Sequence, residues 1–514
     1  MSVSGIGSFG VASAWSNALA TKDKSAGALA SLVATTTSGA ATALSPAASA
    51  SEGRVTLGAV VDTEVVYTKL RTSSFDVAWK SSPTDDTSAL MRKNMQSNSS
   101  VFWDASSLLD GLGAQLLDRF STTKSDFSQS VVSYLQNSSK SADVARAAST
   151  QALVASKVAP NRIGLTITTA SGKEVSIAIS FGGDGKAIAN SLSVDVQVDG
   201  ELTADEQKAV AQLSKGFQAT LDGLSKVPPT VDLSGLVDYD ASVLSGVELS
   251  VRETPHSGSE LKSLDFRIDS TQRSFSMETV SGKISLSVDL SQPEIRGSAA
   301  QQSAALNRYL EQFDAANRRG HGDAKLIAQF KAAFSQLNSN YPAADELSVP
   351  LLSSKDRSVL SGLADFSASM SGDFTDAAEG RVTTEEGHIE YRASQSSTIS
   401  GRDKYVGLTV SQTQRASLKT DYVKSRNGAQ LDTGSGNYDR LSIRDESSTT
   451  TSFSYVKDKL KSASVERLVK QLETYAKLVD YKVVEERQTP RNDATRQDIS
   501  AQLLPSYKEA KPRA

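Results

Sequence analysis

The stretch from Asn161 to Gln292 constrains the fold more than any other part of the chain. Ile163, Leu165 and Ile167 alternate with polar or small neighbours, Ala170-Ser171-Gly172-Lys173 follows, and then Val175, Ile177, Ile179 and Phe181 alternate again. A period of two places these apolar side chains on one face of a pleated sheet. The short Gly-containing turn between the two runs makes the pair a hairpin. A third run, Val194, Val196 and Val198, ends at Asp199-Gly200, where the spacing becomes helical. Alternation returns from Gly246 to Leu290. Residues 161–292 therefore read as a hairpin, a helix and a meander of one antiparallel sheet.

The flanking segments are expected to extend this sheet or to cover it. Residues 1–50 are dominated by Ser, Ala, Gly and Thr, with little apolar surface to offset the entropy of ordering a backbone. They read as a flexible arm. Gly5, Gly7 and Gly10 spell G-x-G-x-x-G, but that motif needs a strand before it and a helix after it. Residues 51–160 read as strands followed by helices. Val65, Val66 and Tyr67 lead to Phe75, Val77 and Trp79, and residues 81–100, with Pro83 and Asp85-Asp86, read as a loop. Leu109, Leu112, Leu116, Leu117 and Phe120 make one helical stripe, and Phe127, Val131, Val132 and Leu135 make a second. A further helix is expected from Ala142 to Val158.

Residues 298–342 read as a helical pair. Leu306, Tyr309, Leu310 and Phe313 form its first stripe, and Ile327, Phe330, Phe334 and Leu337 its second, with a break at Arg318-Arg319-Gly320-His321-Gly322-Asp323. Residues 343–453 read as a second strand-rich region. Residues 454–486 read as an amphipathic helix, with Leu460, Val465, Leu468, Leu472, Tyr475 and Val479 along one face. Residues 487–514 read as a flexible polar tail. The expectation is an α+β fold: antiparallel sheet regions partly covered by amphipathic helices, with flexible N- and C-terminal segments.

Composition narrows the chemistry. There is no cysteine, which excludes disulfides, thiolate metal sites and cysteine nucleophiles. The net charge is −4 and no long like-charge block stands out, so global electrostatics do not point to nucleic acid. No apolar run has the length of a membrane span. Hydrophobic residues make up 38%, which suits a chain with part of its length outside a packed core. The N-terminal residues do not form a clear signal peptide, so a cytoplasmic and an exported location both fit the sequence.

One stretch carries the pattern of a metal loop. Asp195 to Glu206 reads D-V-Q-V-D-G-E-L-T-A-D-E and resembles the EF-hand calcium loop. Asp195, Gln197 and Asp199 stand at positions one, three and five, Gly200 at six, Glu201 at seven and Glu206 at twelve. The resemblance implies calcium held by Asp195, Gln197, Asp199, Glu201 and Glu206. The stretch departs from that pattern in the neutral Gln197, in Val196 and Val198, and in the strand that leads into it. A plain strand, a turn at Asp199-Gly200 and a capping box from Thr203 to Glu206 account for the same residues without a metal.

Other candidates are thinner. His256, His321 and His388 are far apart in sequence and none lies in an H-E-x-x-H motif. Gly182-Gly183-Asp184-Gly185-Lys186 lacks the Gly and the Ser or Thr of a P-loop. No G-x-S-x-G elbow is present. The leading expectation is a non-catalytic interaction or structural protein of bacterial type with a protein partner. Calcium binding through residues 195–206, and a hydrolase whose site is assembled only in the fold, are the alternatives.

Overall fold

The computed structural model describes residues 75–97, 105–122, 126–135, 146–148, 150–151, 160–183, 189–254, 260–341, 351–378, 382–426 and 428–504. The chain divides after Leu70 into two units, and all described residues belong to the second, Arg71–Ala514. The expected arm at 1–50, the strands expected between 54 and 74, and most of the helix expected at Ala142–Val158 lie outside the described residues.

The architecture is mostly sheet. The described strands are β1 (Phe75–Trp79), β2 (Phe127–Leu135), β3 (Asn161–Thr169), β4 (Glu174–Gly183) and β5 (Ala189–Val198). After them come β6 (Leu244–Arg252), β7 (Leu261–Asp269), β8 (Gln272–Thr279) and β9 (Gly282–Asp289). Six longer strands complete the set: β10 (Asp365–Ala378), β11 (Val382–Asp403), β12 (Gly407–Lys424), β13 (Asp439–Val456), β14 (Lys459–Val479) and β15 (Lys482–Asp498). They form one antiparallel sheet of 15 strands in the order β1-β2-β5-β4-β3-β6, then sequentially to β15. The two strand-rich regions of the sequence are one sheet, because β9 pairs with β10 from Gly282↔Gly372 to Asp289↔Asp365.

The two-residue period explains the first part directly. β3 alternates buried and half-buried residues along its whole length, with Ile163, Leu165 and Ile167 buried. Val175, Ile177, Ile179 and Phe181 of β4 and Val194 and Val196 of β5 are buried alongside them. Eight of the described helices place side chains in this core: α1 (Asp86–Ser97), α2 (Ala105–Leu109), α3 (Leu112–Asp118), α4 (Ala204–Gln212), α5 (Ser214–Leu224), α6 (Ser234–Val237), α7 (Ala299–Gly320) and α8 (Ala324–Leu337). Two short ones, α9 (Ser354–Ser358) and α10 (Ser500–Leu503), lie by a second cluster that includes Leu352, Leu360 and Leu503. The expected helical pair is α7 and α8. Phe313 of α7 meets Phe330 and Phe334 of α8 at 4.9 Å between ring centroids, and Tyr391 of β11 at 5.7 Å. Arg273 of β8 is buried and donates to the carbonyls of Leu337, Ser339 and Asn340 at the end of α8.

Four readings of the sequence are corrected. Residues 455–484 are not a helix: they hold the end of β13, β14 and the start of β15. The polar segment after 487 continues β15 to Asp498 and then docks, with Ile499 and Leu503 buried beside Leu408, Phe453 and Tyr455. Phe127, Val131, Val132 and Leu135 belong to strand β2. Residues 81–100 contain α1, whose start is held by Asp85 accepting from the Ser88 amide at 3.0 Å and the Ser88 hydroxyl at 2.9 Å.

Candidate functional site

The loop at 195–206 was the strongest candidate in the sequence. Asp195 and Gln197 lie on β5, and the Gln197 amide donates to Asp195 at 2.8 Å. Gly200 takes φ 85°, the left-handed turn that glycine permits. Thr203 caps α4, and Glu206 closes a reciprocal capping box: its amide donates to the Thr203 hydroxyl at 3.3 Å, and its Oε2 accepts from the Thr203 amide at 2.7 Å. The Glu206 carboxylate also accepts from the Ser171 hydroxyl at 2.5 Å and pairs with Lys173 at 3.1 Å. The hydrogen bond from Ser171, with those from Thr203 and Lys173, holds its pKa down at about 2. Glu206 is thus occupied by three partners on the β3–β4 turn and the helix start. Among the described residues, no group of three or more His, Asp or Glu side chains gathers as a metal site.

The histidines are separately partnered. His321 ends α7 in a left-handed conformation at φ 58°, and its Nδ1 lies 2.6 Å from buried Glu385. Its ring stacks on Tyr422 at 4.6 Å, and the Tyr422 hydroxyl is 3.3 Å from Nε2. Burial pushes the Tyr422 phenol up to about 12. His388 pairs with Asp373 at 2.6 Å. His256 lies outside the described residues. One residue before His321 in the loop, Gly320 packs against Ile389 and Thr420, and Arg319 reaches Asp445 of β13 at 3.0 Å and Glu473 of β14 at 2.8 Å. These contacts fix the α7–α8 corner to four neighbouring strands, which is a structural task.

The feature that sequence reading missed lies in β10–β15. Along β13 the odd residues Ile443, Thr451, Phe453 and Tyr455 are buried, while Arg440, Ser442, Arg444, Glu446, Ser448, Thr450, Ser452 and Ser454 point to the other face. β14 is half-buried over most of its length, and every residue of β15 is exposed. The ladder to β14 nevertheless runs from Ser464↔Asp498 to Val479↔Lys482. An ordered strand with no buried side chain is held by backbone hydrogen bonds and cross-strand pairs. Arg496 and Glu466, at 3.0 Å, are one such pair.

Two clefts flank this part of the sheet. On the α7 side, a cleft of about 580 Å³ runs between Tyr309, Gln312 and Arg319 and the strand residues Thr449, Arg467 and Gln471. On the opposite side, a cleft of about 730 Å³ crosses β10–β14. Its lining includes Arg392, Arg415, Glu446 and Lys470 among serines. Comparison with family models, with curated proteins and with solved structures returned no match.

Proposed function

We propose that the chain is a non-catalytic interaction or structural protein whose working surface is the C-terminal part of its sheet. In this reading, the amphipathic helices cover part of one sheet face and leave β15 and residues 466–468 of β14 bare. The observation that carries it is β15, seventeen residues long and exposed throughout. A domain gains little hydrophobic stability from such a strand, so its order serves a surface rather than a core. Pro490 and the charges of β15 guard the open edge against indiscriminate pairing. Recognition then falls to the face. Arg467, Arg487 and Arg491 share the α7 side of β14 and β15, as their register partners Thr449, Tyr475 and Gln471 show. A protein partner docking there would meet these guanidinium groups and the cleft beside α7.

The test compares affinity capture by the full chain with capture by the triple variant Arg467→Glu, Arg487→Glu, Arg491→Glu. All three sites are exposed, so the thermal midpoint is expected to stay unchanged. A partner retained by the parent chain and lost by the folded variant supports the reading. Identical retained proteins in both contradict it.

A further inference from the structure

The cleft on the far side of the sheet has a chemistry of its own. Its floor is built from two adjacent cross-strand rows. One row runs Ser369–Arg392–Ser417–Glu446–Lys470 and the other Ser367–Ser394–Arg415–Ser448–Leu468. Arg392 and Arg415 are therefore diagonal neighbours on β11 and β12, with Cβ atoms about 7 Å apart in such a geometry. Lys470 stands two strands beyond Arg415, directly opposite Glu446. Several other cations on this face are matched: Arg444 with Asp421 at 2.7 Å, Arg267 with Glu248 at 2.6 Å, Lys283 with Glu278 at 3.0 Å. Among the described residues, Arg392, Arg415 and Lys470 enter no ion pair or side-chain hydrogen bond. Three unmatched cations face a single carboxylate across a cleft of about 730 Å³, a volume within the range of small-ligand sites.

We propose that this cleft binds an acidic oligosaccharide, whose carboxylate or sulfate groups meet Arg392, Arg415 and Lys470 and whose hydroxyls meet Glu446 and the serines. Guanidinium forks pair bidentately with such oxyanions. Glu446 selects among anionic ligands: a ligand with acceptors alone would be repelled by its carboxylate, whereas a sugar hydroxyl can donate to it. Ser367, Ser369, Ser394, Ser417 and Ser448 supply further donors and acceptors at the spacing of the strands. The lining has no aromatic side chain on which bases could stack, which disfavours single-stranded nucleic acid. The site lies on a sheet face with no free strand edge, which disfavours an extended peptide added as a strand.

Titration calorimetry on the full chain tests this, with oligogalacturonate as the carboxylate probe, heparin oligosaccharide as the sulfate probe and dextran as the neutral control. Binding of either acidic probe without binding of dextran is expected, and which of the two binds names the acidic group. Arg392→Ala with Arg415→Ala should weaken it about tenfold or more, while Arg487→Ala on the opposite face should leave it unchanged. Should the double alanine variant fold poorly, Arg392→Lys with Arg415→Lys keeps the charge, removes the fork and should still weaken binding. Glu446→Gln is decisive: weaker binding supports a hydroxyl donated to the carboxylate, and tighter binding overturns the saccharide in favour of simple anion attraction. Failure of both acidic probes to bind, or binding indifferent to the arginine pair, also overturns the proposal. Neither result touches the protein interaction assigned to the other face.

Discussion

Glu206 illustrates how one side chain satisfies two readings of a sequence. As the twelfth residue of a calcium-loop pattern it would give both oxygens to a metal. In the fold those oxygens accept from Ser171, Thr203 and Lys173. Its carboxyl sits at a pKa of about 2 against an ordinary 4.5. A carboxyl depressed on folding contributes stability that is complete above the unfolded value and is lost as pH falls through the folded one. Glu206→Gln should therefore lower the thermal midpoint at pH 7 without added calcium, by an amount equivalent to about 1 kcal/mol for a damaged cap. The difference from the parent chain should shrink between pH 4.5 and about 2. Equal midpoints at pH 7 in chelator, with a gap opening only in millimolar calcium, would favour the metal reading. The pattern 195–206 is legible in the sequence; Ser171 and Lys173, the partners Glu206 takes in the fold, lie on another hairpin and carry no sequence signal toward it.

At the scale of elements, α7 and α8 were legible because their apolar residues recur on one face and pack there. Phe313 is buried against Tyr309, Phe330, Phe334 and Tyr391. Phe313→Ala is expected to cost about 4 kcal/mol through lost burial and the cavity left behind, measured by denaturant unfolding; a loss under 1 kcal/mol would show that this aromatic cluster is not packed as described. The strands that escaped detection did so for physical reasons. β2 buries both Val131 and Val132, because Val131 joins the main core while Val132 packs with Ala147 in a separate small cluster. A strand buried on both faces does not alternate. β14 fails in the opposite way. Val465, Val469 and Tyr475 lie on one face and Leu468 and Leu472 on the other, as their pairing with Thr451, Ser447, Leu441, Ser448 and Arg444 shows. Neither face is fully buried, so no period of two was selected, and the remaining spacing imitates a helix. α1 carries its own sequence signal: Asp85 three residues before Ser88, with Met91 and Met95 four apart and buried.

At the scale of the molecule, the described residues build one antiparallel sheet whose strands lengthen from eight to ten residues in β3–β9 to as many as twenty-two in β11. The first part is dense with buried Ile, Leu and Val; β15, the last strand, carries order without burial. That division matches a composition only 38% hydrophobic. The proposed protein-binding surface falls on the strands that bury least, and the cleft on the opposite side crosses β10–β14. Arg467, Arg487 and Arg491 share one face, and Lys470 stands opposite Glu446, only with residues 459–498 as paired strands rather than a helix and a tail.

The absence of cysteine offers a direct measurement. Glu466→Cys with Arg496→Cys introduces two thiols at positions that are register partners across β14 and β15, where cross-strand geometry falls within the reach of a disulfide. Mild oxidation should join them rapidly, with the far-ultraviolet spectrum unchanged, whereas Glu466→Cys with Arg487→Cys, whose register partner is Tyr475, should not close. Failure of the first pair to close, or equal closure of both, would contradict the sheet on which the account rests.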